Sequence, residues 1–339
     1  MKQYNIAIVG ATGAVGKIFI ELLESRKFPV NHIYPLGSDR SAGETVLFNN
    51  RPVVVGNAEN FDFSQVDIAF FSAGASVSIQ YAEKVRAAGC VMIDNTSAFR
   101  YDDEVPLVVP EVNKEAIKDY KNKYIIANPN CSTAQMVVVL KPIYDAVGIS
   151  RVNVATYQSV SGSGSEAISE LIEQVGLLLN GRPIKPQVYA KQIAFNLLPH
   201  IDDFQENGYT KEEMKMVWET QKIFNDPTIQ VNATAVRVPV VCGHSEAVHL
   251  ETKEKISAAQ VRTLLKATPG VKVMDTQKPG GYPTPLEATG EDDVFVGRIR
   301  EDISHPTGID LWIVADNLRK GAALNSIQIA EVLIDQYLK

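Results

Sequence analysis

The sequence lacks a basic surplus, a long apolar run and a cysteine framework, and each absence removes a class of function. Its 33 Lys and Arg are outnumbered by 40 Asp and Glu, and a formal charge of −7 argues against binding to nucleic acid or to an anionic membrane. No apolar stretch reaches the ~18 residues of a membrane span. The N-terminus passes directly into a strand-like run, so no signal peptide is expected and the protein reads as cytoplasmic. Only three cysteines occur, Cys90, Cys131 and Cys242. Their number is odd, no spacing resembles a metal site, and a reducing compartment suits them. Internal repeats and a low-complexity tail are missing too. What is there is an ordinary globular composition, 45% hydrophobic and 22% charged over 339 residues, enough for two domains with a core each.

The first part of the chain alternates strand-like and helix-like runs. Tyr4 to Val9 is apolar and β-branched, Gly10-Ala-Thr-Gly-Ala-Val-Gly16 follows, and Ile18, Leu22 and Leu23 then recur at helical spacing. Strand, glycine turn and helix in that order form a phosphate cradle, with the backbone of Gly10, Thr12, Gly13, Ala14, Val15 and Gly16 facing an anion at a helix N-terminus. The spacing is G-x-x-G-x-x-G, and a tight turn without a ligand is the alternative. After a second strand, Ile33 to Leu36, the residues Ser38, Arg40 and Ser41 suit the 2′-phosphate of NADP, whereas Asp39 keeps NAD open. Val66 to Phe71 and Cys90 to Ile93 read as buried parallel strands. The first ends at Ser72-Ala-Gly74, small residues that admit a cofactor to the backbone. The second ends at Asp94-Asn-Thr-Ser97, with Arg100 beyond it, placed for an anion. These features predict a doubly wound parallel sheet with ligands at its carboxyl edge.

Cys131 lies in Asn128-Pro-Asn-Cys-Ser-Thr133, between a strand-like run and a helix expected from Thr133 to Val147. There, unsatisfied N–H groups and the helix dipole favour a thiolate, with Ser132 and Thr133 as caps. A small buried hydrophobe is the other reading of such a cysteine. Beyond it the texture changes. Arg151 to Val160 alternates like an antiparallel strand with one covered face, carries Gln158, and enters Ser161-Gly162-Ser-Gly-Ser165, a flexible or ligand-approaching loop. Helices at 166–179 and 211–224 flank an irregular region, 181–208, suited to a subunit contact. Glu212 and Lys215 stand one helical turn apart, by spacing a surface ion pair. Gln230 to Val241 is a second alternating strand, with Arg237 set among valines, and it ends at Cys242-Gly-His244. His244 is well placed for proton transfer, although single histidines are often structural. A helix at 257–266, strands at 271–274 and within 294–314, and a final helix at 322–338 complete the reading.

The order of these motifs resembles the aspartate-β-semialdehyde dehydrogenase family over essentially the whole chain. The resemblance is carried by Gly-Ala-Thr-Gly-Ala-Val-Gly at 10–16, Asp-Asn-Thr-Ser at 94–97, Asn-Pro-Asn-Cys-Ser-Thr at 128–133 and Asn-Leu-Arg-Lys-Gly-Ala-Ala at 317–323. It implies a Rossmann-type α/β domain, residues 1–127 with 318–339, that binds NADP. A second α+β domain, residues 128–317, would hold a mixed or antiparallel sheet used for catalysis and homodimerisation. Cys131 would be the nucleophile that forms an acyl thioester, His244 the general acid/base, and Gln158 the residue that orients the reacting group. Arg237 would grip the substrate α-carboxylate and Glu212 face its ammonium, while Arg100 and Lys215 bind phosphate with Asn130 close by. Ser38, Arg40 and Ser41 would meet the 2′-phosphate. Ser72, Gly74, Ser161 and Gly162 would line the path of the cofactor, and Asn317 would meet its nicotinamide end. The implied reaction is NADPH-dependent reductive dephosphorylation of L-4-aspartyl phosphate to L-aspartate 4-semialdehyde, reversible with phosphate, on the route to lysine, methionine and threonine.

Three rivals compete. N-Acetyl-γ-glutamyl-phosphate reductase shares the thioester logic, but its acetylated substrate has no ammonium for Glu212, and the Asn-Cys-Ser-Thr context favours the aspartyl enzyme. The loop at Ser38–Arg40 counts against glyceraldehyde-phosphate dehydrogenase. A non-catalytic NADP-binding sensor has no use for an ordered Gln158, Arg237 and His244 set.

Overall fold

Tyr4–Val9 forms strand β1, almost wholly buried, as a parallel strand covered on both faces must be. The glycine turn leads into helix α1 (Ala14–Ser25), whose buried face is Phe19, Ile20, Leu22 and Leu23. Residues 2–338 are described in this computed structural model; Met1 and Lys339, the outer limits of the first domain expected above, lie outside them. Strand β2 (Val30–Gly37) is followed by a hairpin that sequence patterning does not anticipate, β3 (Thr45–Phe48) with β4 (Arg51–Val54), and by the short β5 (Gly56–Asn57). Then come β6 (Ile68–Phe71), α2 (Ala75–Ala87), β7 (Val91–Asp94), the single turn α3 (Pro110–Asn113) and β8 (Ile125–Ala127).

These strands make one parallel sheet in the order β5-β2-β1-β6-β7-β8. The chain winds outward from β1 to β5 and returns to β6 on the other side of β1. Its switch point therefore lies between the carboxyl ends of β1 and β6, where Gly10 and Ser72 sit. The core joins Ile6, Ile8, Phe19, Phe70, Ile93 and Ile126, with the Phe19 and Phe70 rings stacked at 4.7 Å. Each such side chain contributes roughly 2 kcal/mol by leaving water.

Helix α4 (Cys131–Val147) opens the second part of the chain. β9 (Ile149–Gln158), α5 (Ser165–Leu179), α6 (Lys211–Phe224), β10 (Gln230–Arg237) and β11 (His244–Thr252) follow. After them come α7 (Ala258–Lys266), β12 (Val271–Val273), α8 (Pro285–Ala288), β13 (Val294–Glu301) and β14 (Gly308–Ala315). Their sheet is mixed, in the order β10-β9-β11-β14-β13-β12. β9 is antiparallel to β11, as its alternation suggests, but parallel to β10. Periodicity reports which face is covered and says nothing of a neighbour's direction.

The start of α6 is fixed by a capping box. Thr210 Oγ1 accepts the Glu213 N–H, and Glu213 returns a bond to the Thr210 N–H. The other oxygen of Glu213 accepts the Ala235 N–H at 2.9 Å, which pins the helix to β10. A π-helical turn at Arg319–Ala323 then leads to α9 (Leu324–Gln336), so the last helix begins later than apolar spacing predicts. By internal contacts, residues up to Asn130 with those from Ala322 form one unit, and Cys131–Gly321 the other.

Candidate active site

Pro129 holds Asn128 extended, and the helix begins as soon as the chain is past Asn130. Cys131 is thus the first residue of α4. Ser132 and Thr133, expected as caps, lie inside its buried first turn. The three cysteines differ sharply. Cys90 is buried in core, and burial, with a smaller effect of Asp67, pushes its thiol up. Burial and Asp316 push the Cys242 thiol up to about 11, and its Sγ lies 3.6 Å from Asp316 Oδ1. Neither is ionised at neutral pH. Cys131 is partly exposed at a helix start, with Gly321 of the π-helical turn packed against it. A Cβ on Gly321 would stand 2.6 Å from Cys131 Cβ, so only glycine permits this approach.

One edge of the mixed sheet gathers the other groups. Gln158 and Arg237 end the parallel strands β9 and β10 and are paired in register. His244 begins the antiparallel β11 and pairs with Ala315 at the end of β14, just before Asn317. Four strand ends therefore meet at one edge. Helix α4 joins them through Gln135, one turn after Cys131, whose Nε2 donates to the His244 carbonyl at 3.2 Å.

His244 is fully buried. The Ser159 N–H donates to its Nδ1 at 3.1 Å, a contact that favours the neutral tautomer with its proton on Nε2. Ser159 Oγ lies 3.0 Å from the same Nδ1. Nε2 has no hydrogen-bond partner among the described residues, and a Cβ on Gly162 would stand 3.1 Å from it. Burial, and then the Arg237 charge, push the ring's pKa down to about 3 against a weaker opposite pull from Glu212. The resting imidazole is neutral, with Nε2 unengaged among the described residues.

Arg237 is buried and donates from Nη1 to the Ser159 carbonyl at 2.7 Å, while its Nε has no partner among the described residues. Gln158 Nε2 donates to Glu212 Oε1 at 3.1 Å. Lys215 bridges Glu212 at 2.9 Å and Asp202 at 2.7 Å. Burial alone would lower the Lys215 ammonium's pKa, but the two carboxylates outweigh it and hold the charge. The pair read from spacing as a solvated surface bridge is in fact nearly buried, because α6 is pinned to β10 and turns this face toward the strand ends.

Asn317 is committed within the protein. Its Oδ1 accepts from Ser159 Oγ (3.0 Å), Ser161 Oγ (3.1 Å) and the Gly243 N–H (2.9 Å), and its Nδ2 donates to Ser161 Oγ at 2.9 Å. The serine-glycine tract expected to be flexible is an ordered 3-10 turn, Val160–Ser163. Its N–H groups at Val160 and Ser161 bond to the Val240 and Val241 carbonyls.

The remaining expected residues belong to the first unit. Arg100 is buried, with Nε on the Asn128 carbonyl at 2.8 Å and Nη2 on the Asn95 carbonyl at 3.0 Å, and Asn130 is buried close in sequence. At the glycine turn, Gly10 has φ +94°, and a Cβ on Gly16 would stand 2.2 Å from the Gly10 oxygen. Gly13 starts α1 without a side-chain cap, which leaves N–H groups for an anion. Gly74 has φ +101° at the start of α2, and Ser72 follows β6. Ser38 and Arg40 are exposed and Ser41 is half-buried, while Asp39 accepts a hydrogen bond from Asn57.

Residues 5–120 match the family described as "Semialdehyde dehydrogenase, NAD binding domain", and residues 140–320 match "Semialdehyde dehydrogenase, dimerisation domain". The aspartate-semialdehyde dehydrogenase of Legionella pneumophila is 63% identical over 338 residues, 99% of this chain and 97% of that protein. The chain belongs to the aspartate-semialdehyde dehydrogenase family. It is accordingly an oxidoreductase of aspartate-pathway amino-acid biosynthesis with an NAD(P)-binding Rossmann domain. A crystal structure of aspartate semialdehyde dehydrogenase II from Vibrio cholerae, complexed with ASA, superposes with a TM-score of 0.98 at 58% identity, covering 99% of this chain and all of that one. The Candida albicans enzyme, solved with NADP, gives 0.77 at 26% identity, with 98% and 99% covered.

Ser159, Gln135 and Gly321 escaped the sequence reading of the site. Ser159 falls near the end of a run that reads as a strand, just before the three serines of the loop-like tract at 161–165, and Gln135 is one polar residue in an apolar helix. Gly321 did leave a signal, as a glycine just where a helix is expected to start.

Proposed function

We propose that the chain reduces L-4-aspartyl phosphate to L-aspartate 4-semialdehyde with NADPH, through a thioester on Cys131. The observation that carries this reading is the buried, partnerless Nε2–H of His244, at a strand edge with Gln158 and Arg237 and tied to the Cys131 helix. Cys131 attacks the acyl carbon and phosphate departs. A thiolate serves because it is both a good nucleophile and a good leaving group. Arg237 holds the α-carboxylate with the guanidinium donors left over from its Ser159 bond. Glu212 faces the ammonium, and Gln158, braced on Glu212, orients the acyl group. The His244 Nε2–H stabilises the oxyanion at the former carbonyl, a role worth roughly a hundredfold to a thousandfold in rate. Arg100, Asn130 and Lys215 are proposed for phosphate. Lys215 would meet it only as one member of its ion triad with Glu212 and Asp202.

The first unit fits NADP. The crowding around Gly16, the uncapped start of α1 and the positive φ of Gly10 and Gly74 suit a pyrophosphate close to the backbone. Arg40 makes no hydrogen bond to the described residues, and with Ser38 and Ser41 it suits a 2′-phosphate, while Asn57 already engages Asp39. When bound, NADPH supplies the hydride that reduces the thioester. Residues 1–127 with 318–339 are proposed as the cofactor domain and 128–317 as the catalytic one. Ser161 and Gly162 sit beside His244, and glycine at 162 leaves room there for a ligand. A cytoplasmic homodimer is proposed, assembled through the matched dimerisation domain; no helix among the described residues is long and apolar enough to cross a membrane.

The test is phosphate-dependent reduction of NADP by aspartate semialdehyde. Wild type should be active and Cys131→Ser at least about a thousandfold slower. Turnover of N-acetyl-γ-glutamyl phosphate in preference to aspartyl phosphate would refute the assignment.

A further inference from the structure

We propose that Ser159, backed by Asn317, is the positioning residue that lets His244 carry a proton on Nδ1, so that Nε2 can act as a base as well as a donor. The inference rests on His244 being the acid/base of the reaction. It starts from a conflict in the ring's surroundings. The Ser159 peptide N–H points at Nδ1 from 3.1 Å and can only donate. Alone, that contact would fix the proton on Nε2, and a ring so fixed can donate from Nε2 but cannot accept there. Removal of the hydroxyl proton of a hemithioacetal, the step required when the aldehyde is oxidised, needs a lone pair on Nε2.

The Ser159 hydroxyl resolves this. Its Oγ lies 3.0 Å from Nδ1 and can donate to it or accept from it. When Nδ1 bears the proton, the Ser159 peptide N–H gives up its acceptor, Ser159 Oγ accepts the Nδ1–H hydrogen bond in its place, and the hydroxyl's own hydrogen turns to Asn317 Oδ1, also 3.0 Å away. Nε2 is then left with its lone pair. On taking the substrate proton there, the ring becomes an imidazolium with both N–H groups directed, Nδ1–H to Ser159 and Nε2–H to the substrate oxygen. The hydride on the same carbon passes to NADP, the oxidant of the proposed reaction, and release of the proton from Nε2 restores the starting arrangement.

Asn317 is suited to the receiving end because its oxygen is fixed by the Gly243 N–H and its nitrogen is held on Ser161. A neutral His-Ser-Asn chain thus stands where a carboxylate would otherwise orient the imidazole. The role also accounts for an amide that family resemblance assigns to the nicotinamide but whose oxygen is taken up by Ser159, Ser161 and the Gly243 N–H. The charged groups around the ring are Arg237 from β10 and Glu212 from α6, the latter tied to Lys215. Glu246 lies two residues further along β11 beside Gln135 of α4, and Asp316 sits behind Asn317, against Cys242. None of these contacts Nδ1, which leaves the Ser159 hydroxyl as its adjustable partner.

The experiment compares wild type with Ser159→Ala, Asn317→Asp and His244→Ala. It reads kcat and its pH dependence in the oxidative direction, together with 15N-histidine NMR of the resting enzyme. A buried hydrogen bond to a charged group should be worth roughly tenfold to a hundredfold, so Ser159→Ala should lose that much kcat at nearly unchanged KM. The ring is already held near pKa 3, so the NMR spectrum is the readout for this variant, and it should show only the Nε2–H tautomer. Asn317→Asp offers a stronger acceptor, so its spectrum should move the other way, toward the Nδ1–H tautomer, and its inflection should move to higher pH. A residue that merely packs would not shift the two variants in opposite directions. Wild-type kcat and pH profile in Ser159→Ala, with His244→Ala inactive, would overturn the proposal and leave His244 its role. Wild-type turnover by His244→Ala would overturn the underlying reading as well.

Discussion

In the first unit the groups proposed to meet a ligand are mostly backbone. They are the turn at Gly10, the uncapped start of α1 and the small residues after β6, all within a few residues of the strand that places them. In the second they are side chains delivered by four strand ends and two helices, tied together by bonds such as Gln158 to Glu212 and Asn317 to Ser159 across 54 and 158 positions of sequence. A backbone site is specified locally and fails when the chain cannot approach closely enough. A side-chain site is specified by packing and fails when one member of the network moves.

The sharpest way to break this contrast is to add one methyl group to each unit. Gly16→Ala puts a Cβ 2.2 Å from the Gly10 oxygen, and Gly321→Ala puts one 2.6 Å from Cys131 Cβ. The first should raise KM for NADPH by about a hundredfold while Cys131 alkylates at the wild-type rate. The second should leave NADPH affinity unchanged and lower kcat by about a hundredfold, since displacements near 1 Å can cost that much. Titration calorimetry with NADPH and iodoacetamide kinetics separate the two. Equal effects of both changes on both readouts would abolish the distinction.

What was legible in the sequence follows the same division. The parallel sheet, its glycine turn and the strand-to-helix setting of Cys131 depend on neighbours in sequence, and periodicity with glycine placement exposes them. The helix at 211–224 was legible to the residue because its capping box is local. The burial of Glu212 and Lys215 was not, since it depends on Glu213 bonding to Ala235 on another strand. Ser159 was hidden for the same reason: its partners are His244 and Asn317, and in sequence it is only a polar residue near the end of an alternating strand. The hairpin β3–β4 was missed because its strands have four residues each and because β3, whose Val46 and Phe48 are half-buried, carries an exposed Leu47 between them, which hides the alternation in the sequence.

A smaller effect sharpens the account of the first unit. Arg40→Ala should raise KM for NADPH about tenfold and leave KM for NADH unchanged, because the guanidinium is proposed to meet only the 2′-phosphate. Equal losses with both cofactors would remove Arg40 from that role.

The smallest effect on turnover concerns buried carboxyls. Asp94 in the first unit is buried but bonded by Ser78 and Thr96. Glu246 in the second is fully buried beside Gln135, without a hydrogen bond of good geometry among the described residues. Burial holds the Glu246 pKa well above the usual carboxylate value, so its folded form prefers the proton. The stability it confers is complete below pH ~4.5 and is lost as pH rises toward the folded pKa, at about 1.4 kcal/mol per unit. Glu246→Gln should therefore match wild type at pH 4.5 and melt at increasingly higher temperature than wild type as pH rises from there toward the folded pKa, with little change in kcat. A difference independent of pH would show that Glu246 is not the titrating group.

The claim beneath all of this is that an acyl group is held on one sulfur. Mixing the protein with aspartate semialdehyde and NADP in the absence of phosphate, quenching in acid and measuring intact mass tests it directly. A single aspartyl adduct per chain is predicted, mapped to the peptide containing Cys131, released by hydroxylamine and absent from Cys131→Ser. NADPH formation with no adduct, or with the adduct on Cys90 or Cys242, would contradict the account.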